Sequence, residues 1–211
     1  MVEDLTEEKV INVTWHGRGG QGAVTAAMIL AEAAYLDGYQ GVTAAPFFGV
    51  ERRGAPITAT TRFSRKPIRT LSPTAQADVV VVLDERLLQA VDVLGGLKPD
   101  GLLILNSSSE PEKFCTDMDI AVATADANSI ATEVGLVVAG TVLINTSLLG
   151  AFSKASCLVQ MESLEKAIGK NFSKQAAKSN IQGARLTYEA TRINRSWNPL
   201  SLIHISEPTR Q

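Results

Sequence analysis

Apolar positions along the chain follow two alternating rhythms. Short runs rich in β-branched residues recur at residues 10–15, 41–45, 57–63, 78–84, 101–106 and 119–124, and each reads as a strand. Between them lie helix formers: residues 23–36, a run opening at Asp84-Glu85 and ending at Val91, and a helix from about Asp126. Run 57–63 alternates with period two. Only the proline-bounded loop 46–56 separates it from the strand before, too short for a helical crossover, so it is expected to pair antiparallel. Run 78–84 is almost continuously apolar, the mark of a central strand covered on both faces. The alternation predicts an α/β fold: a three-layer α/β/α arrangement around a mostly parallel, mixed, Rossmann-like sheet, closed by C-terminal helices.

Residues 134–153 carry no charge over twenty positions, long enough to span a bilayer. Gly135, Gly140, Asn145 and Gly150 interrupt the stretch, so it is expected to be a buried helix packed closely against the sheet or a partner chain. Residues 161–170 and 173–192 read as two more helices. From residue 196 onward periodicity ends, and residues 201–211 resemble a translated sequencing-adapter tail. One domain over residues 1–195 and a non-native tail over 196–211 are therefore expected, and His204 carries no functional weight.

Composition narrows the function classes. A chain of 211 residues, 45% hydrophobic, can bury one sizeable core. Twenty basic and 22 acidic residues leave a net charge of −2, no footprint for nucleic acid or an anionic membrane. The acidic first nine residues lack the features of a signal peptide, and a cytoplasmic location is expected. Cys115 and Cys157 are too few and too far apart in sequence for a zinc or iron–sulfur site, and read as buried or half-buried free thiols.

The chemistry concentrates at Gly17-Arg18-Gly19-Gly20-Gln21-Gly22, set between the first strand and the first helix. Gly17, Gly19 and Gly22 match G-x-G-x-x-G: glycines permit a tight turn and close backbone approach, and the helix start favours an anion such as phosphate. The acid that would hold a ribose at the end of the second strand is missing, since that run ends in Ala45-Pro46. On the alternative reading the glycines only let the helix pack on its strand; Arg18 and Gln21, a cation and an amide inside the turn, favour a ligand. His16, beside the turn, fits either a ligand contact or a plain hydrogen bond. Loop 46–56 combines Phe47 and Phe48 with Glu51, Arg52 and Arg53, a mixture suited to docking or to internal stapling. Because ligands of such sheets sit beyond the strands' carboxyl ends, Gly17 to Gly22, the Phe48 loop and Asp84 to Arg86 are expected to converge on one edge.

The glycine turn and the loop Phe47-Phe48-Gly49-Val50-Glu51-Arg52-Arg53-Gly54-Ala55-Pro56 together resemble the gamma components of the pyruvate:ferredoxin oxidoreductase family of 2-oxoacid:acceptor oxidoreductases. The similarity runs over residues 10–192, and the double arginine looks more like the pyruvate and branched-chain members than the 2-oxoglutarate ones. It implies a subunit that completes an enzyme with alpha, beta and delta (ferredoxin-type) partners. These would carry thiamine diphosphate and the iron–sulfur clusters, oxidatively decarboxylate the 2-oxoacid, and reduce ferredoxin, with coenzyme A as co-substrate. In that family the gamma piece covers the active-site region and is associated with coenzyme A access. Gly17, Arg18, Gly19, Gly20, Gln21 and Gly22 would then serve coenzyme A. Phe48, Glu51, Arg52 and Arg53 would form a substrate or partner loop, with no catalytic or metal-binding residue in this chain. Whether Arg18, Arg52 or Arg53 meets phosphate stays open. The rival readings are a free-standing nucleotide-binding Rossmann module, such as an NAD sensor, and a purely structural subunit.

Overall fold

The apolar run at the start of the chain forms β1 (Ile11–Arg18), and the alanine-rich segment after the glycines forms α1 (Ala23–Leu36). This computed structural model describes residues 10–46, 53–69 and 76–197. A hairpin comes next, β2 (Gly41–Pro46) and β3 (Pro56–Ser64), then β4 (Ala77–Val82), the single turn α2 (Leu87–Ala90), β5 (Leu97–Asn106) and a 3-10 turn at Pro111–Phe114. After β6 (Ala121–Ala125) and α3 (Ala127–Glu133) come the small hairpin β7 (Val137–Val138) and β8 (Thr141–Val142). Helices α4 (Asn145–Ser156), α5 (Met161–Asn171) and α6 (Lys174–Ala190) lead into a short β9 (Arg192–Ile193).

Among the described residues, seven strands make one sheet in the order β2-β3-β1-β4-β5-β6-β9. Strands β1, β4, β5 and β6 are mutually parallel. Antiparallel β3 is inserted between β1 and β2, with Ile11 opposite Phe63 and Gly41 opposite Ser64, so the sheet is mixed as the short loop requires. On one face Val13, Trp15, Phe63, Val79, Val81 and Ile104 pack under α1, α4 and α5. The indole Nε1 of Trp15 donates to Thr61 Oγ1 (3.2 Å), whose hydroxyl donates to the Ala27 carbonyl (3.0 Å), tying β1 and β3 to α1. On the other face Val80, Val82, Leu103, Leu105 and Val122 pack, among the described residues, against α2, the loop after it and the 3-10 turn.

Residues 134–153 do not form one helix. Val137, Val138, Thr141 and Val142 are β-branched, and Ala139 (φ 47°) and Gly140 (φ 76°) supply the two left-handed residues of a tight hairpin turn, so the helix begins only at Asn145. The close packing expected of this stretch holds from there: a Cβ on Gly150 would lie 1.9 Å from the Ala184 carbonyl oxygen of α6. Strand β5 begins earlier than the expected residue 101, at Leu97, and includes Asp100 at φ 59°. Both cysteines are exposed rather than buried or half-buried, and Cys157 is the left-handed residue closing α4. The described packing runs two residues past the expected domain end at residue 195. Trp197 is only 8% exposed, and its Nε1 donates to the Asp100 carbonyl (2.8 Å), while residues 198–211 lie outside those described. No helix among the described residues is long and apolar enough to cross a membrane.

Candidate functional site

Strand β1 continues through Gly17 and Arg18, so the turn proper is Gly19 to Gly22. Gly17 serves packing: a Cβ there would lie 3.2 Å from Ala23 Cβ and 3.6 Å from Leu83 Cδ2. The left-handed backbone falls on Gly20 (φ 94°) and Gly22 (φ 80°), the latter capping α1. A side chain on Gly22 would meet Asn145, the first residue of α4, at 2.6 Å. Gln21 Oε1 accepts from the Arg18 amide (2.7 Å), and the Gln21 amide donates to the Arg18 carbonyl (2.9 Å), which closes the turn on itself. Gly19 donates to the Ala55 carbonyl (2.9 Å) and accepts from the Gly54 amide (3.0 Å), so the turn is stitched to the loop carrying Arg53.

Asp84, just past the end of β4, gathers the cations. Its carboxylate accepts from Arg18 Nε (2.8 Å), Arg86 Nε (2.9 Å), Arg86 Nη2 (2.8 Å) and the Arg86 amide (3.1 Å). The Arg86 hydrogen bonds first, and that of Arg18 against the cost of burial, hold its pKa at about 2, below the ordinary 3.8. Arg18 also donates to the Gly54 carbonyl (3.2 Å), so its guanidinium is committed to protein groups on both sides. Arg86 remains 76% exposed. Beside it Ser107 Oγ donates to Glu85 (2.5 Å), and Asn106 bridges β4 to α3, donating to the Leu83 carbonyl and accepting from the Ala127 amide, both at 3.0 Å.

Two concavities flank Gln21. A polar crevice of about 300 Å³ lies against Asp84, Arg86, Asn106 and Asn128. A more apolar cavity of about 410 Å³ runs between the glycine turn, Arg53 and the hairpin residues Val138, Ala139, Thr141 and Leu143. Both open where the chain leaving β1 turns towards β2 while the chain leaving β4 turns towards β5, the topological switch point at which such sheets place ligands.

Gly17 to Gly22, Arg53 and Asp84 to Arg86 therefore meet on one edge. Phe48, Glu51 and Arg52, with Phe47, lie outside the described residues. Antiparallel β3 takes the place beside β1 from which a Rossmann second strand would offer its ribose acid, so the dinucleotide geometry is missing along with the acid. His16 sits in register with Thr58 and Val82, and burial holds its imidazole pKa below the usual value. Asn106 and Ser107 were not foreseen from sequence; a polar pair ending an apolar strand at the ligand edge is the signal that marks them. Among the described residues no three His, Cys, Asp or Glu side chains gather to hold a metal.

Residues 12–190 match the pyruvate ferredoxin/flavodoxin oxidoreductase family. The chain is 49% identical over 187 residues to the "Pyruvate/ketoisovalerate oxidoreductases common subunit gamma" of Pyrococcus furiosus, covering 87% of this chain and 98% of that protein. It is 46% identical over 180 residues to pyruvate synthase subunit PorC of Methanothermobacter thermautotrophicus, covering 85% of this chain and 95% of that protein. The crystal structure of pyruvate oxidoreductase subunit PORC from Thermotoga maritima superposes with a TM-score of 0.75 at 34% identity, over 89% of this chain and all of the other. A glycine turn stitched to an arginine loop at the switch point thus sits in a chain similar over nearly its whole described length to such subunits, and this chain belongs to the pyruvate ferredoxin/flavodoxin oxidoreductase family.

Proposed function

We propose that this chain is the gamma subunit of a cytoplasmic, multi-subunit enzyme that oxidatively decarboxylates pyruvate or a branched-chain 2-oxoacid to acyl-coenzyme A and reduces ferredoxin. The observation that carries this reading is the match over 98% of a relative whose name joins pyruvate with ketoisovalerate. Two cysteines cannot supply the four thiolates that a cluster takes, which supports placing the clusters on partner chains. Thiamine diphosphate belongs with them, on the alpha, beta and delta subunits, and supplies the carbanion chemistry when bound. The role of this chain is to cover the active-site region and to help hold coenzyme A at the glycine turn.

The residues present fit such a ligand. Gly20 leaves the cavity wall open, the nearest atom to a Cβ there being Arg53 Cγ at 3.9 Å. Arg53 is exposed at the rim, whereas Arg18 is engaged by Asp84, so Arg53 is the cation suited to a phosphate. Val138, Ala139 and Leu143 offer an apolar wall to the ligand's arm.

Affinity purification of the tagged chain from its native host tests the assignment. Partners that bear clusters and thiamine, and pyruvate-dependent reduction of ferredoxin by the complex, are expected; the chain purified alone should be iron-free and inactive. Tight NAD binding by the lone chain, with no partners captured, would favour a nucleotide sensor instead. In the complex, Arg53→Ala is expected to raise the KM for coenzyme A about tenfold, the loss of one charge-assisted contact of about 1.5 kcal/mol. An unchanged KM with weakened assembly would make the turn a docking element.

A further inference from the structure

Helices α1 and α4 start against one another, and no side chain caps either start. The first backbone bond of α1 runs from the Ala26 amide to the Gly22 carbonyl (2.9 Å), and that of α4 from the Leu148 amide to the Ile144 carbonyl (3.0 Å). The amides of residues 23–25 and 145–147 therefore precede both helical ladders. Neither first turn carries an acid that would answer the positive end of its helix. The two starts meet at Gly22 and Asn145, where a Cβ on the glycine would lie 2.6 Å from Asn145 Nδ2.

Asn145 is only 6% exposed, yet among the described residues its side-chain amide makes no hydrogen bond. The next residue behaves differently, Thr146 Oγ1 donating to Asn180 Oδ1 (2.6 Å). A buried amide without a partner is costly, and this one is aimed at the head of α1, where the backbone also presents donors that want an acceptor. The cavity between the glycine turn and the β7–β8 hairpin reaches this junction: Gln21 and Leu143, which line it, each stand one residue before the cap positions Gly22 and Ile144. Among the described residues its lining holds no carboxylate, and its one charge is Arg53.

We infer that Asn145 contacts the ligand directly and that the adjoining starts of α1 and α4 seat a diphosphate, one phosphate group to each helix. A lone phosphate is served by one helix start; a diphosphate carries two anionic groups joined through a single oxygen, and two adjoining starts answer both. The inference rests on the proposed coenzyme A site and places its diphosphate at residues 22 and 145, with the apolar wall of Val138, Ala139 and Leu143 left for the arm beyond it.

Inorganic diphosphate, titrated into the full chain and followed by phosphorus NMR, tests the seat without the rest of the enzyme. It should bind about tenfold more tightly than inorganic phosphate, the gain expected from one further set of charge-assisted contacts. Asn145→Asp keeps the side-chain shape but sets a like charge at the seat, and should abolish diphosphate binding. The same substitution should leave the melting temperature unchanged or raise it, because a carboxylate suits a helix start; an amide with a purely structural role would not separate the two readouts. In the native complex, Asn145→Ala should raise the KM for coenzyme A and for dephospho-coenzyme A by the same factor, about tenfold, since both carry the diphosphate, and should spare the KM for pyruvate. The inference fails if the chain binds no diphosphate, if phosphate binds as tightly, if Asn145→Asp binds diphosphate as well as the wild type does, or if Asn145→Ala affects coenzyme A alone. Diphosphate held by the chain in a complex whose activity does not depend on coenzyme A would instead overturn the coenzyme A reading and leave the seat standing.

Discussion

Asp84 shows how one residue can redirect a site. Arg18 reads from sequence as a free cation within an anion-binding turn, but a carboxylate 66 residues away already holds it, together with Arg86. No local pattern carries that information, because the pairing is made by adjacent parallel strands ending side by side. The glycines were more legible: the turn, its helix and the need for left-handed backbone can all be read from spacing, although the strained positions prove to be Gly20 and Gly22. Asp84→Asn should lower the melting temperature at neutral pH by leaving two guanidinia with a weaker acceptor. Because the folded carboxyl has a pKa of about 2, below the ordinary 3.8, its stabilisation is complete above pH about 4 and is lost as pH falls towards about 2. Acid melts should therefore show a steeper loss for the wild type than for Asp84→Asn across that window; parallel curves would mean that the carboxylate does not hold the turn. Gly20→Val should cost about 1–3 kcal/mol through backbone strain rather than collision, since only Arg53 Cγ approaches a Cβ there. A melting temperature equal to the wild type would show that the turn relaxes.

At the scale of elements, helix-forming composition without a breaker marks α1 to the residue, and period-two alternation marks the antiparallel β3 to within one residue at each end. The failure at residues 134–153 has a physical cause. An uncharged stretch cannot be divided between helix and hairpin by polarity, and the deciding signal was four β-branched residues around Ala139-Gly140. Strand β9 was missed because two residues carry no period; it exists because Thr124 and Ala123 of the edge strand β6 offer a ladder. The small residues of α4 were read correctly as a route to close packing, and two glycines separate that role from mere composition. Gly150→Ala should destabilise by about 1–3 kcal/mol, because its Cβ would be forced into the Ala184 carbonyl of α6. Gly169→Ala, in α5 with nothing within 4 Å of the added carbon, should stabilise by about 0.5–1 kcal/mol through helix propensity alone. Urea titrations of both variants check this; equal shifts of the same sign would show that the α4–α6 contact is looser than its geometry implies.

At the scale of the whole molecule, the described packing continues past the point where sequence periodicity ends. Loss of periodicity after residue 195 is real, yet an isolated tryptophan needs no period to be structural: it needs only a hollow and a partner for its N–H. Trp197 finds both at the irregular first half of β5, where Asp100 takes a left-handed conformation and turns its carbonyl to the indole. The segment after α6 thereby passes from β9, at the edge of the sheet, across to β5, two strands further in. Two truncations separate the contribution of Trp197 from that of residues 198–211. Ending the chain after Trp197 should leave the melting temperature unchanged, since the described packing is retained. Ending it after Arg195 removes the buried indole and should cost about 3 kcal/mol, a value that Trp197→Ala in the full chain should reproduce. Identical melting curves for the two truncations would show that Trp197 adds nothing to the folded state. A large loss from the cut after Trp197 alone would show instead that residues 198–211 make contacts of their own.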